Sequence, residues 1–251
     1  HFNEANEARK VANHLGTNHT ELMATERDTL NLVEKISSTY DEPFADPSQL
    51  PTMLLCQLAR GHVTVALSGD GGDEFFAGYS RYPQILNDWG QKQKAAPLSG
   101  LTGAAASLPW SVIDGLVGMT RKRPARYGTK ITNALMKSSA ASLGEVAQHY
   151  SGFWRDGVPI KGVSNTERNI FNGAWPVSQD QTAMLGNLKS LMTSDALVYL
   201  PDDLMVKVDR ASMAASLEVR TPFLNQDLAK LCWSLPFEWH ANQGGGLKCL
   251  L

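Results

Sequence analysis

The chain predicts an α/β fold, a parallel sheet followed by a large, mainly helical part. Three observations point there. The run HVTVAL at positions 62–67 is apolar and β-branched, which suits a buried strand. Segments with helical spacing precede it, and strands separated by helices imply a parallel sheet. From about Asn87 onward the pattern is helical, with Ala, Leu, Trp and Pro and no convincing further strand, so this half reads as a helical bundle against the sheet. One domain is expected, with its α/β part at 1–84 and its helical part at 85–251.

Residues 3–15 place Ala8, Val11, Ala12 and Leu15 on one helical face, with Gly16 as the stop. HTELM at 19–23 is a short strand candidate. Thr25 with Asp28 spells a capping box, and Leu30, Val33 and Ile36 follow at helical spacing. After the loop DEPFADPS, Ser48 is placed to cap a helix that ends at Gly61, and the strand 62–67 follows. The Ala/Gly/Pro-rich stretch 95–110 reads as a connection.

With 251 residues and 43% hydrophobic content, the chain can bury a full core without staples. Its 25 acidic and 23 basic residues leave a formal charge of −2, which excludes an electrostatic footprint for nucleic acid or an anionic membrane surface. The basic run at 121–126 reads as a solvated loop. Cys56, Cys232 and Cys249 form neither a metal pair nor a disulfide framework, so a reducing cytoplasm is expected. No apolar window is long enough to span a bilayer, and no leader opens the chain. It starts at His1 inside a helical pattern and stops on the apolar run GGGLKCLL, so a fragment of a longer protein is expected.

The most informative stretch is SGDGGDEFFAGYSRY, residues 68–82, which the strand enters directly. In open α/β sheets ligands sit at the carboxyl ends of strands. The backbone N–H groups of Ser68, Gly69, Gly71 and Gly72 can converge on an anion, because glycine permits close approach and positive φ. Asp70, Asp73 and Glu74 beside such a cradle would repel a polyphosphate unless magnesium lies between them. An acidic, Gly-rich turn with carboxylates at a helix N-terminus explains the same letters equally well. Gly71–Phe75 also spells the tag of the diguanylate cyclases. That reading fails, because Ala77-Gly78-Tyr79 interrupts the second strand a cyclase needs and the upstream SQLPTMLLCQLARG lacks the acidic metal motif.

The second stretch is YLPDDLMVKVDRASMAASLEVRTPFLN, residues 199–225. Helical spacing puts Asp203, Lys207, Arg210 and Ala214 on one face, and Leu204, Val208 and Ala211 on another. Glu218 and Arg220 alternate on a short extended segment before Pro222, which ends local helix. A surface helix laced with ion pairs is one reading. A cation turned inward to hold a carboxylate or phosphate is the other.

Taken together, the two stretches closely resemble the synthetase domain of the glutamine-dependent asparagine synthetases. Their usual forms are near L-S-G-D/E-G-G/S-D-E-L/V/F-F-x-G-Y and V-D-R-x-S/T-M-A-x-x-L/V-E-x-R-x-P-F/L-L-D. NEARKVANHLGTNHTEL at 6–22 also looks like the family's stretch after its first nucleotide strand. The resemblance covers nearly the whole chain, although 85–190 matches only in helical character.

The resemblance implies an ATP-pyrophosphatase fold of the adenine nucleotide alpha hydrolase type, lacking here its N-terminal strand and first phosphate loop. It also implies ATP and magnesium as cofactors, a β-aspartyl-AMP intermediate, and ammonia supplied from glutamine by an N-terminal glutaminase domain. Ser68 and Gly69 match the ATP-contacting pair, with Gly71 and Gly72 completing the pyrophosphate cradle. Asp70 matches the acidic position that forms and positions the acyl-adenylate, where glutamate is often found. Asp73 matches the carboxylate linked to magnesium, with Glu74 beside it, and Tyr79 matches the tyrosine that closes the loop. Asp209, Arg210, Glu218 and Arg220 match the second motif as architectural or substrate-facing charges, with Arg210 counted as catalytic beside Asp70 and Tyr79. Asn225 stands where aspartate is usual. The phosphate loop S-G-G-x-D-S does not occur in the chain, and the family's catalytic lysine is expected beyond LKCLL, so the chain alone is expected to be silent. Amidation of another carboxylate, such as a sugar acid or a β-lactam precursor, and a non-catalytic nucleotide-binding module are the alternatives. A homodimer follows only by analogy.

Overall fold

The computed structural model describes residues 5–21, 23–94, 140–151, 175–240, 248 and 250. The connection 95–110, the basic run 121–126 and Cys249 lie outside them. The chain divides into two units, His1–Gly69 with Asp202–Pro222, and Asp70–Pro201 with Phe223–Leu251.

In the first unit, helix Ala5–Leu15 ends at Gly16, whose φ of 65° is easy only for glycine. Of its expected apolar face only Ala12 is buried, while Val11 and Leu15 stay exposed. The strand expected at 19–23 does not form among the described residues there, which pair with no strand. Helix Glu26–Val33 carries the expected box: Thr25 Oγ1 accepts from the Asp28 N–H at 3.2 Å, and Asp28 Oδ2 accepts from the Thr25 N–H at 3.0 Å. Its buried residue is Leu32, however, while Leu30 and Val33 face outward. The helix rolls so that Leu32, with Ile36 four residues on, meets helix Gln49–Arg60.

Ser48 precedes Gln49–Arg60 but does not cap it with its side chain. Its N–H and Oγ both donate to Asp46 Oδ1, each at 2.7 Å, so the hydroxyl is committed elsewhere. The expected strand shortens to β1, Val65–Leu67, and is not buried: Val65 is 40% and Leu67 73% exposed, while Ala66 packs on the core. Burial on both faces needs cover on both, and only one face of β1 has it among the described residues. β2, Glu218–Arg220, corrects the expectation that no further strand follows. It pairs parallel to β1, Ala66 opposite Val219, and gives the parallel pairing the sequence predicts. Leu32, Tyr40, Met53, Cys56, Ala211 and Leu217 form the core between these elements and helix Val206–Ala214.

The second unit is helical in its described residues. Helices Arg81–Lys94, Leu143–Ser151 and Asn187–Ser194 enclose Tyr82, Ile85, Val146, Leu191 and Met192. A smaller cluster sets Phe75 and Phe76 against Cys232 and Leu228, on helix Gln226–Ser234, with the Phe75 and Trp233 rings edge to face at 5.0 Å. The stretch Asp195–Met205 winds as a π-helix containing Pro201. Cys56 and Cys232 are buried free thiols. Among the described residues no helix is long and apolar enough to cross a membrane.

Candidate active site

β1 delivers Ser68 to the end of the first unit's sheet, where its N–H donates to the Arg220 carbonyl at 2.8 Å. At the other end of the ladder the Glu218 N–H donates to the Thr64 carbonyl at 3.0 Å. Parallel pairing thus lays the extended segment of the second motif beside the strand that feeds the glycine-rich turn. The Glu218 and Arg220 side chains pair with each other at 2.8 Å, both well exposed.

The charged face expected on the helix of the second motif divides. Asp209 and Arg210 are exposed, and Arg210 reaches Asp41 at 2.7 Å. Lys207 instead turns inward and donates to Asp46 Oδ2 at 2.7 Å and to Ser48 Oγ at 2.8 Å, with both charged side chains 9% exposed. The Tyr40 hydroxyl donates to the Lys207 carbonyl at 3.3 Å. Burial works to raise the Asp46 pKa, but hydrogen bonds from Lys207 and Ser48 outweigh it and hold the carboxyl below its ordinary value.

In the second unit, Gly71 takes φ 89° and opens the short helix Gly72–Phe75. A side chain on Gly71 would be strained and would come within 2.6 Å of Leu224 Cδ2. Asp70 is half-buried and Gly72 buried. Asp73 and Glu74 are neighbours with opposite environments. Asp73 remains partly exposed and meets Lys248 Nζ at 2.7 Å. Gly78 lies so close beneath that a methyl there would strike both the Asp73 carboxylate and Lys248 Cε, and its N–H donates to the Asp73 carbonyl at 2.8 Å. Glu74 is fully buried, accepts a hydrogen bond from the Tyr79 hydroxyl, and has its second oxygen unpartnered. Burial raises the Glu74 pKa, and burial with the Glu74 contact pushes the Tyr79 hydroxyl far up.

The Arg81 guanidinium lies 3.8 Å from the centre of the Tyr79 ring and donates to Asp195 Oδ2 at 2.7 Å. The Tyr82 hydroxyl donates to the same oxygen at 2.7 Å. Burial pushes Asp195 above the usual carboxylate range despite these donors.

Residues 1–251 match the family profile described as asparagine synthase. The chain belongs to the asparagine synthase family. It is 25% identical over 246 residues to asparagine synthetase [glutamine-hydrolyzing] 1 of Bacillus subtilis (strain 168), covering 97% of this chain and 36% of that protein. It is 27% identical over 238 residues to a Mycobacterium bovis protein provisionally named a glutamine-hydrolysing asparagine synthetase, covering 94% and 34%. A Methanocaldococcus jannaschii protein provisionally named in the same way is 49% identical over 69 residues, 28% of this chain and 13% of that protein. The chain spans about a third of the length of the first relatives it matches. No solved structure matches it at a significant level.

Within the chain, Asp70, Gly71, Gly72, Asp73, Glu74 and Tyr79 fall in the second unit. Ser68, Gly69, Asp209, Arg210, Glu218 and Arg220 fall in the first. Sequence reasoning misses four charged residues that the structure brings into play. Lys248 gives no local signal beyond one charge in an apolar run, and only the fold carries it to Asp73. Arg81 sits inside the first motif without standing out. Asp195 carries a weak signal, an acid within the apolar run LMTSDALVYL. Asp46 lies in a loop that sequence reading leaves undifferentiated.

Proposed function

We propose that this chain is the synthetase part of an enzyme that amidates aspartate to asparagine at the expense of ATP. In this reading a β-aspartyl-AMP intermediate forms, and ammonia arrives from glutamine through a glutaminase domain elsewhere in the protein. Family membership over the full chain supports it. The observation that carries it is Asp73, held at the glycine turn with an ammonium group on its carboxylate and Gly78 packed beneath.

The residues divide the work by their surroundings. Backbone donors of Gly69, Gly71 and Gly72 receive phosphate oxygens, since glycine lets the chain approach closely, whereas the Ser68 N–H expected among them is committed to the Arg220 carbonyl. Asp70 positions the carboxylate under activation. Of the two carboxylates expected to hold magnesium, Glu74 is fully buried, which leaves Asp73 as the hard oxygen donor present, and this ion takes one or two carboxylates together with phosphate oxygens. When bound it neutralises charge building on pyrophosphate. Among the described residues no three His, Cys, Asp or Glu side chains gather as a metal cage. Glu74 is assigned to holding Tyr79 in place, because its carboxyl is sealed from solvent. Lys248 is assigned the part of the family's lysine that sequence reading expects beyond LKCLL: a cation for the charge developing on phosphate. Arg210, exposed and paired with Asp41, keeps a role only as a substrate-facing charge.

The test is release of AMP and pyrophosphate by the full-length protein with ATP, magnesium and ammonium, comparing aspartate with other carboxylic acids. Aspartate-dependent release is expected. Release with another acid alone moves the substrate and keeps the mechanism, and no release with any acid sinks the enzymatic reading.

A further inference from the structure

We propose that Asp195 is a positioning residue for the Asp73-bearing turn, acting through Arg81 and Tyr79. Asp195 is 9% exposed, and its Oδ2 accepts from both Arg81 and Tyr82 at 2.7 Å. The Tyr82 hydroxyl holds that buried oxygen in place, and the charge-assisted bond from Arg81 anchors the guanidinium to it. The guanidinium carbon lies over the Tyr79 ring, 3.8 Å from its centre, and 5.2 Å from the centre of the Tyr199 ring. Tyr82 and Tyr199 meet the Tyr79 ring edge to face at 5.6 and 5.7 Å. With both neighbours and one face taken, the Tyr79 hydroxyl is directed to Glu74.

Glu74 is the residue after Asp73 in a helix of one turn, so anchoring Glu74 inside sets the direction in which Asp73 leaves the turn. The return path is equally constrained. Ala77 is fully buried at φ 55°, and the Gly78 N–H closes back on the Asp73 carbonyl. The seven-residue loop from Asp73 to Tyr79 is therefore held at both ends by one polar network whose outermost member is Asp195. Losing the Asp195 charge leaves Arg81 in a half-buried site without its carboxylate. The guanidinium then has no anchor to keep it over the Tyr79 ring.

The exchange measurement below is independent of the reaction, while its kinetic counterpart rests on the function proposed above. Amide hydrogen exchange of residues 73–79 is compared in the full-length protein for wild type, Asp195→Asn, Arg81→Lys and Tyr150→Phe. The last removes a hydroxyl that donates to Asp88 at 2.7 Å in the same unit and is not one of the donors to Asp195. Asp195→Asn is expected to speed exchange across the loop by roughly tenfold or more, while Tyr150→Phe leaves it as in wild type. Arg81→Lys keeps a charge for Asp195 but has no flat face for Tyr79, so it loosens the loop too, and it serves if Asp195→Asn does not fold. In pyrophosphate release, Asp195→Asn is expected to lower kcat roughly 10- to 100-fold, as loss of an outer supporting partner does, with a smaller change in KM for ATP. Wild-type exchange in both network variants overturns the proposal, as does equal loosening by Tyr150→Phe. No turnover by wild type with any acid tells against the function proposed above, and the exchange result still decides this one.

Discussion

Lys207 occupies a position that helical spacing groups with solvent-facing charges, yet it is buried on Asp46. Removing one partner of such a pair strands the other charge in the interior, so Lys207→Met should cost about 3–5 kcal/mol, read from the urea midpoint. Adding Asp46→Leu should recover much of that loss; no recovery would mean that the lysine stem, and not the pair, supports the core. Asp46 also carries a pH signature. Its folded pKa is depressed, so its contribution is complete above the unfolded value of about 3.9 and is lost as pH falls through the lower folded value. The stability cost of Asp46→Asn should therefore shrink between pH 7 and pH 3, and a constant cost across that range would contradict the pairing. Gly78→Ala is the sharpest test at the proposed site. Its methyl can be accommodated only by moving Asp73 and Lys248, so pyrophosphate release should fall roughly 100-fold in the full-length protein. The glycines are visible in the sequence, but their neighbours are not, because Lys248 and Leu224 come from far along the chain.

At the scale of elements, hydrogen-bonded capping signals three residues apart survive, although the apolar spacing of Leu30 and Val33 does not. The Thr25–Asp28 box forms as spelled, and Ser178 with Gln181 makes another before helix Gln179–Leu185. Asn225, where the family usually has aspartate, caps Gln226–Ser234 by accepting from the Asp227 and Leu228 N–H groups at 2.9 and 3.2 Å. Either side chain presents the oxygen a cap needs. Asn225→Asp should thus stay within a few tenths of a kcal/mol of wild type, and Asn225→Ala should lose about 1 kcal/mol in chemical denaturation. A large loss in the aspartate variant would show that the amide has a second partner. The β1–β2 ladder uses the Arg220 carbonyl, not its side chain. Arg220→Ala should accordingly change stability by less than about 0.5 kcal/mol, since its pair with Glu218 is exposed. Any marked fall in turnover in that variant then reports contact with substrate. Sequence reading sees Glu218 and Arg220 alternate on an extended segment but misses β2 as a strand, because its parallel partner lies far away in the sequence.

For the whole molecule, family membership was legible in two motifs, and the complete chain matches the family. The phosphate loop expected of that family does not occur among the 251 residues. Release of AMP by the isolated chain with ATP, magnesium, aspartate and ammonium is therefore expected to be undetectable, and measurable release would show that the loop is dispensable. By itself the sequence determined the stops at Gly16 and Gly61, the Thr25–Asp28 box, the glycine turn and the family, because each depends on groups within a few residues of one another or on the letters of a motif. Only the tertiary structure decided that Leu32 and not Leu30 enters the core, that Lys207 turns inward, that Asp73 and Glu74 part into a partly exposed and a buried acid, that Asp195 meets Arg81 and that Lys248 reaches Asp73. Burial and charge pairing depend on what the rest of the chain brings to a side chain, and spacing along one segment carries no record of that.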